Sequence, residues 1–274
     1  MSENKEGFVK AKDGTELFYK YIPADRPGAS VFIVHGLGEH SGRYGNVINT
    51  LKDYNLFLLD LRGHGKSTGK RGHVMSFDEY LDDVDKLRKE MQPFVKGKSF
   101  LLGHSMGGLI ALRYAIYRPE GLAGVISSGP LLGVNVQVPK IKGMIGRFLA
   151  NLAPGLSMNN EIDTNKLSHD KAVVDAYNND PLVHTKVSAR WYVEMTKAME
   201  DTNANAGKLK IPCLIMHGSE DALTNPQVSR RFYEHAGSKD KTYILYQGYY
   251  HEIFNEIEKQ KPLSDLLEWI KKRP

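Results

Sequence analysis

Short apolar runs rich in β-branched and aromatic residues recur along the chain: Ser30 to His35, Leu56 to Asp60, Ser99 to Gly103, Ala123 to Ser128, Ile211 to His217 and Thr242 to Tyr246. Each is too short for a helix and nearly continuous in its hydrophobicity, as a strand buried on both faces must be. Amphipathic helical patterns lie between them. The clearest runs from Phe77 to Met91, with Phe77, Tyr80, Leu81, Val84, Leu87 and Met91 on one face and Ser76 with Glu79 as a capping box. This alternation predicts an α/β fold with a mostly parallel central sheet flanked by helices. Two earlier runs, around Phe8-Val9 and from Leu17 to Tyr21, predict an antiparallel edge hairpin that turns at Asp13-Gly14.

The rhythm breaks between about Pro130 and Lys210, a gap far longer than an ordinary crossover. Residues 1–129 and 210–274 therefore read as the core domain and 130–209 as an inserted helical cap. Within the cap, Ile141, Met144, Ile145, Phe148, Leu149 and Leu152 form one apolar stripe, and a second helical pattern runs from Val187 through Trp191 and Met195 to Met199. Such a cap belongs over the carboxyl edge of the sheet, where open α/β sheets bind their ligands.

Composition narrows the function. With 37 Lys+Arg against 32 Asp+Glu, the formal charge of +5 is too mild to imply a nucleic-acid partner. The single cysteine, Cys213, lies in an apolar run and reads as a core residue. The polar start Met1-Ser2-Glu3-Asn4-Lys5-Glu6 has no apolar signal region, and no apolar stretch is long enough for a membrane span. A cytoplasmic protein is expected. Lys140, Lys142 and Arg147 border the stripe around Phe148, so this part of the cap either rests transiently on lipid surfaces or packs inward to line a tunnel.

The candidate chemistry begins at Gly103-His104-Ser105-Met106-Gly107, a G-x-S-x-G pattern between a strand and a helix. A serine on that sharp turn is exposed as a nucleophile, and small residues two positions either side let the helix pack back on the strand. The Ser105 hydroxyl needs a base to take its proton and an acid to orient that base. In the chain order of this motif both follow Ser105. Glu220 and Asp221 stand after the strand that ends near His217, and either residue type could serve as the acid. Of the two later histidines, His235 falls at a helix end, whereas His251 follows the last strand in a loop at the carboxyl edge of the sheet and is the predicted base. His35-Gly36-Leu37-Gly38 supplies a turn after a strand, so the backbone N–H groups of Leu37 and Met106 are the predicted oxyanion hole.

Two other motifs fail. Asp60 to Ser67 ends like a phosphate-binding loop but has Asp60 where glycine is required, and His251-Glu252 opens like a zinc helix without its second histidine. No metal and no cofactor are expected.

Gly103 to Gly108 together with His35 to Tyr44 resembles the monoacylglycerol lipase and lysophospholipase branch of the α/β-hydrolases. The resemblance covers nearly the whole chain and takes in Asp60-Leu61-Arg62-Gly63-His64-Gly65-Lys66-Ser67 and Asp180-Pro181-Leu182. Acid loops of that family read G-x-x-D, which Gly218 and Asp221 match, so the resemblance selects Asp221. It implies hydrolysis of an ester joining glycerol to one fatty acyl chain, with the cap shaping an acyl tunnel. It also implies that Glu39 and Arg43 form a polar pocket for glycerol, although on their residue types an ion pair within the loop is an equal reading. Some members carry a histidine near the alcohol pocket where this chain has Phe254. The expected partner is a monoacylglycerol or similar single-chain lipid ester. The alternatives are a carboxylesterase or lysophospholipase acting on other single-chain esters and, outside enzymes, an inactive lipid-binding module of the same fold.

Overall fold

The computed structural model describes residues 4–25, 27–135 and 150–273. An eight-stranded sheet forms from β1 (Lys5–Lys10), β2 (Glu16–Ile22), β3 (Ala29–Val34), β4 (Asn55–Leu59), β5 (Lys98–His104), β6 (Gly124–Ser128), β9 (Cys213–Gly218) and β10 (Lys241–Tyr246). Its spatial order is β1-β2-β4-β3-β5-β6-β9-β10. β2 runs antiparallel to β1 and to β4, and every later pair is parallel. The hairpin turns where expected, with Gly14 at φ 88° and the Asp13 side chain accepting from Thr15 N at 3.0 Å.

Alternation along each strand divides the interior into two cores. Phe32, Val34, Leu101 and Val125 face one layer, packed by α2 (Asp78–Met91) and α3 (Met106–Tyr117). Val31, Ile33, Leu102 and Ile126 face the other, under α1 (Gly45–Thr50) and the carboxyl-terminal helix Gln260–Lys271. The capping box ahead of α2 closes on one side only. Glu79 Oε1 accepts from Ser76 N at 2.9 Å, whereas the Ser76 hydroxyl turns to Asp78 N.

Between β6 and β9 the described residues hold an antiparallel pair, β7 (Ser157–Asn159) with β8 (Lys186–Ser188), and two helices, α4 (Lys171–Asn179) and α5 (Ala189–Ala204). The second helical pattern of the insertion therefore begins later than its periodicity suggests. Val187 belongs to β8, and Ser188 ends the strand by accepting from Trp191 N with its hydroxyl, capping α5. Trp191, Met195 and Ala198 then join the core against α3. Of the first stripe, Ile141, Met144, Ile145, Phe148 and Leu149 lie outside the described residues, as do Lys140, Lys142 and Arg147, while Leu152 is exposed. Cys213 is fully buried in β9, and burial pushes its thiol up to about 12.

Candidate active site

β5 delivers the chain to Ser105, which sits at φ 55° and ψ −117° immediately before α3. This is a left-handed conformation that a non-glycine residue adopts only under constraint. The constraint is visible in the flanking glycines. A side chain at Gly103 would collide with the Gly107 carbonyl, and one at Gly107 with the carbonyls of Val34 and His35. The turn is fixed to the next strand by Ser105 N donating to Ser128 O at 2.9 Å.

The predicted oxyanion turn lies against Ser105, since a Cβ on Gly36 would stand 3.1 Å from Ser105 Cβ. Among the described residues, the N–H groups of Leu37 and Met106 have no acceptor. Met106 opens α3, so its N–H also carries the positive end of the helix dipole. Two unclaimed donors beside a strained serine have the composition of an oxyanion hole.

Asp221 and His251 meet across 30 residues of sequence, with His251 Nδ1 donating to Asp221 Oδ2 at 2.7 Å. This fixes the tautomer and leaves Nε2 with its lone pair. Oδ2 also receives His217 Nε2 at 3.0 Å and Thr224 Oγ1 at 2.8 Å, and Oδ1 receives the N–H groups of Leu223 and Thr224. Burial works to raise the Asp221 carboxyl, but His251 and His217 together hold it well below the usual carboxylate range. Burial likewise works against a charge on His251, and Asp221 overcomes it so that the imidazole sits above its ordinary value.

The imidazole stands beside the elbow. Its ring centroid is 4.7 Å from that of His104, and Gly129, next to Ser128, has its Cβ position 3.2 Å from His251 Nδ1. Asp221 and His251 are joined, and His251 lies alongside the Ser105 turn. Among the described residues no hydrogen bond links Ser105 Oγ to His251; such bonds are often long without substrate and tighten when it binds. Glu220 is exposed and stays out of the constellation. His235 is held by the Arg231 carbonyl at its helix end.

Glu39 and Arg43 form the ion pair, at 2.7 Å, and it is nearly dry. Glu39 Oε1 accepts from Gly36 N at 2.6 Å and from Tyr44 OH at 2.9 Å. Burial opposes its ionisation, yet Arg43 and neighbouring histidines bring its carboxyl down to about 2. Arg43 also pairs with Glu252 through both Nη1 and Nη2, at 2.7 and 2.9 Å. These residues line a small cavity with His104 and Phe254. Burial and the neighbouring His251 push His104 down to about 4, so it is neutral there.

Sequence reasoning missed His217, Thr224 and Glu252. His217 had a signal, a histidine ending a strand four residues before the acid. Glu252 had none beyond standing next to His251. The Asp60 segment proves structural: its carboxylate accepts from Ser41 N and Lys66 N, tying the loop after β4 to the loop after β3. Among the described residues no cluster of three or more His, Cys, Asp or Glu is suited to a metal, and no helix is long and apolar enough to cross a membrane.

The profile of the family described as "Serine aminopeptidase, S33" matches residues 25–258. The chain is 36% identical to phospholipase YtpA of Bacillus subtilis, over 86% of this chain and 93% of that one. It is 35% identical to the human monoglyceride lipase, over 95% of this chain and 88% of that protein. The crystal structure of Paleococcus ferrophilus monoacylglycerol lipase superposes with a TM-score of 0.87 at 37% identity, covering 94% of this chain and all of that one. With this breadth of agreement, the chain belongs to the serine aminopeptidase S33 family of α/β-hydrolases, on its monoacylglycerol lipase branch.

Proposed function

We propose that the protein hydrolyses monoacylglycerols to glycerol and free fatty acid through an acyl-enzyme. The observation that carries this reading is the buried Asp221–His251 pair set beside a strained Ser105 with two unclaimed N–H groups at hand. Ser105 Oγ attacks the ester carbonyl while His251 Nε2 takes its proton. The N–H groups of Leu37 and Met106 receive the negative oxygen, and the imidazolium returns the proton to the leaving glycerol oxygen. Water repeats the sequence on the acyl-enzyme. Asp221 stays ionised and holds the tautomer.

Charge beside the site favours a neutral alcohol. Two buried carboxylates, Glu39 and Glu252, share the Arg43 guanidinium, so among the described residues a phosphate entering there would meet net negative charge. In this reading Glu39 and Arg43 form the wall of the glycerol pocket through their ion pair. The Bacillus subtilis relative is named a phospholipase, which keeps a lysophospholipase as the second reading. Residues 1–129 and 210–274 serve as the catalytic core and 130–209 as the cap over the acyl chain.

One panel tests the reading: monoacylglycerols of several lengths, diacylglycerols, triacylglycerols and lysophosphatidylcholine. Monoacylglycerol turnover is expected to dominate and to vanish in a folded Ser105→Ala variant. Faster lysophosphatidylcholine hydrolysis would move the assignment to the second reading, and near-normal turnover by the variant would remove the mechanism. The cap is also proposed as the lipid-facing surface, because Leu152, Leu156 and Met158 are each exposed in the insertion. Flotation with anionic vesicles at low salt should carry the protein upward; a protein left at the bottom of the gradient sinks that part.

A further inference from the structure

The two halves of the proposed site come from opposite ends of the chain, and one buried guanidinium joins them. Glu39, in the loop that bears Leu37, reaches back to Gly36 N at 2.6 Å. Arg43 Nη1 bonds Glu39 Oε2 at 2.7 Å and, 209 residues away in sequence, Glu252 Oε1 at 2.7 Å. Glu252 follows His251 directly. Its second oxygen receives Arg43 Nη2 at 2.9 Å and Asn255 Nδ2 at 2.8 Å. The Tyr177 ring lies over the guanidinium, 4.6 Å from its carbon. Glu39 and Glu252 are each 4% exposed, so little water competes for these bonds.

We infer that Glu252, acting through Arg43 and Glu39, is a positioning residue that sets the His251 loop against the oxyanion loop. The inference rests on the serine-hydrolase reading of this site. Glu252 touches no reacting atom. A bidentate guanidinium–carboxylate pair fixes both distance and plane, so it registers the base against the Leu37 N–H in a way a single hydrogen bond could not. Replacing the acid by its amide leaves a shape that fits but removes the second charged contact.

Charge gives a separate readout. His251 is faced by Asp221 from the loop after β9, by His104 from the elbow, by Glu39 and Arg43 from the loop after β3, and by its neighbour Glu252. Its N–H bonds the Lys166 carbonyl, while the Lys166 ammonium turns to the Tyr250 ring. Asp221 is the largest contributor to the raised imidazole, and Glu252 adds to it. The base works only when neutral, so activity falls as pH drops through the His251 pKa. Losing the Glu252 charge should move that acid limb to lower pH.

The test compares wild type, Glu252→Gln and Glu252→Asp on a monoacylglycerol across pH, with fluorophosphonate labelling of each. Glu252→Gln should lower kcat by up to about 10²-fold with KM nearly unchanged, and shift the acid limb downward. Glu252→Asp keeps the charge and should restore the limb while recovering only part of kcat. A Glu252→Gln enzyme with wild-type kcat and limb overturns the inference. So does a loss expressed wholly in KM, or one explained by a lowered melting temperature with the limb unmoved in both variants. Failure of the wild type to label at Ser105 would instead strike the hydrolase reading itself.

Discussion

The proposed acid side and the proposed oxyanion side of Ser105 are held by different means. Asp221 accepts five donors, four of them from residues 217–224 and one from His251. Its geometry is written largely into one short stretch of chain, with two donors on Oδ1 and three on Oδ2. The oxyanion loop, residues 35–43, is tied within itself through Glu39, which holds Gly36 N and Arg43, but it also depends on anchors from distant segments. His35 Nε2 accepts from Leu61 N, Gly38 O accepts from His184 N, His40 Nε2 bonds Asp180, and Arg43 reaches Glu252. Local redundancy makes the first side tolerant. Dependence on distant partners makes the second vulnerable, and it couples the oxyanion turn to the insertion that supplies Asp180 and His184.

The largest effect that would test this contrast belongs to Gly38. It sits at φ 76°, and an added Cβ would strike the His184 carbonyl. Gly38→Ala should therefore strain the turn and push the insertion away, destabilising the protein by about 1–3 kcal/mol. Because the Leu37 N–H is adjacent, kcat should fall by about 10²- to 10³-fold, the scale of a lost oxyanion donor. Thermal melting and steady-state kinetics on the same preparation check both numbers. A variant with normal kcat would show that contact with the insertion does not shape the hole, and the contrast would fail on its more vulnerable side.

The same contrast explains what could be read from sequence. The strands and the elbow are local patterns, so their apolar runs and glycines announced them, whereas the choice of Asp221 over Glu220 rested on the family resemblance. Ser105 is a case in point: its tight turn is permitted by Gly103 and Gly107, both within two residues, where a side chain would collide with backbone. Arg43 shows the limit. Its bond to Glu39, four residues away, was within reach of spacing rules, whereas its bond to Glu252 depends on two loops meeting at the edge of a folded sheet. Val187 shows another kind of limit. A β-branched apolar residue four places before Trp191 and eight before Met195 fits the helical period, but Ser188 caps the helix and leaves Val187 in a strand. His217 was overlooked because its one signal, a strand-end position four residues before the acid, gains meaning only when the acid folds back onto it.

The smallest effect is expected on the acid side, at His217, and it is the sharper test because the residue looks catalytic. It is fully buried, bonded to Asp221 Oδ2 at 3.0 Å through Nε2 and to Ser229 Oγ at 3.0 Å through Nδ1. His217→Leu removes both bonds and leaves the Ser229 hydroxyl unpaired in the core, which should cost about 1–3 kcal/mol of stability. Asp221 nonetheless keeps four of its five donors, among them both backbone N–H groups and His251. Since the orientation of the base depends on those, kcat should fall less than about 10-fold, roughly 1.4 kcal/mol of barrier. A loss as large as that predicted for Gly38→Ala would mean that Asp221 needs both imidazoles to stay in place. The acid would then be as singly held as the oxyanion turn, and redundancy would not be what separates the two sides.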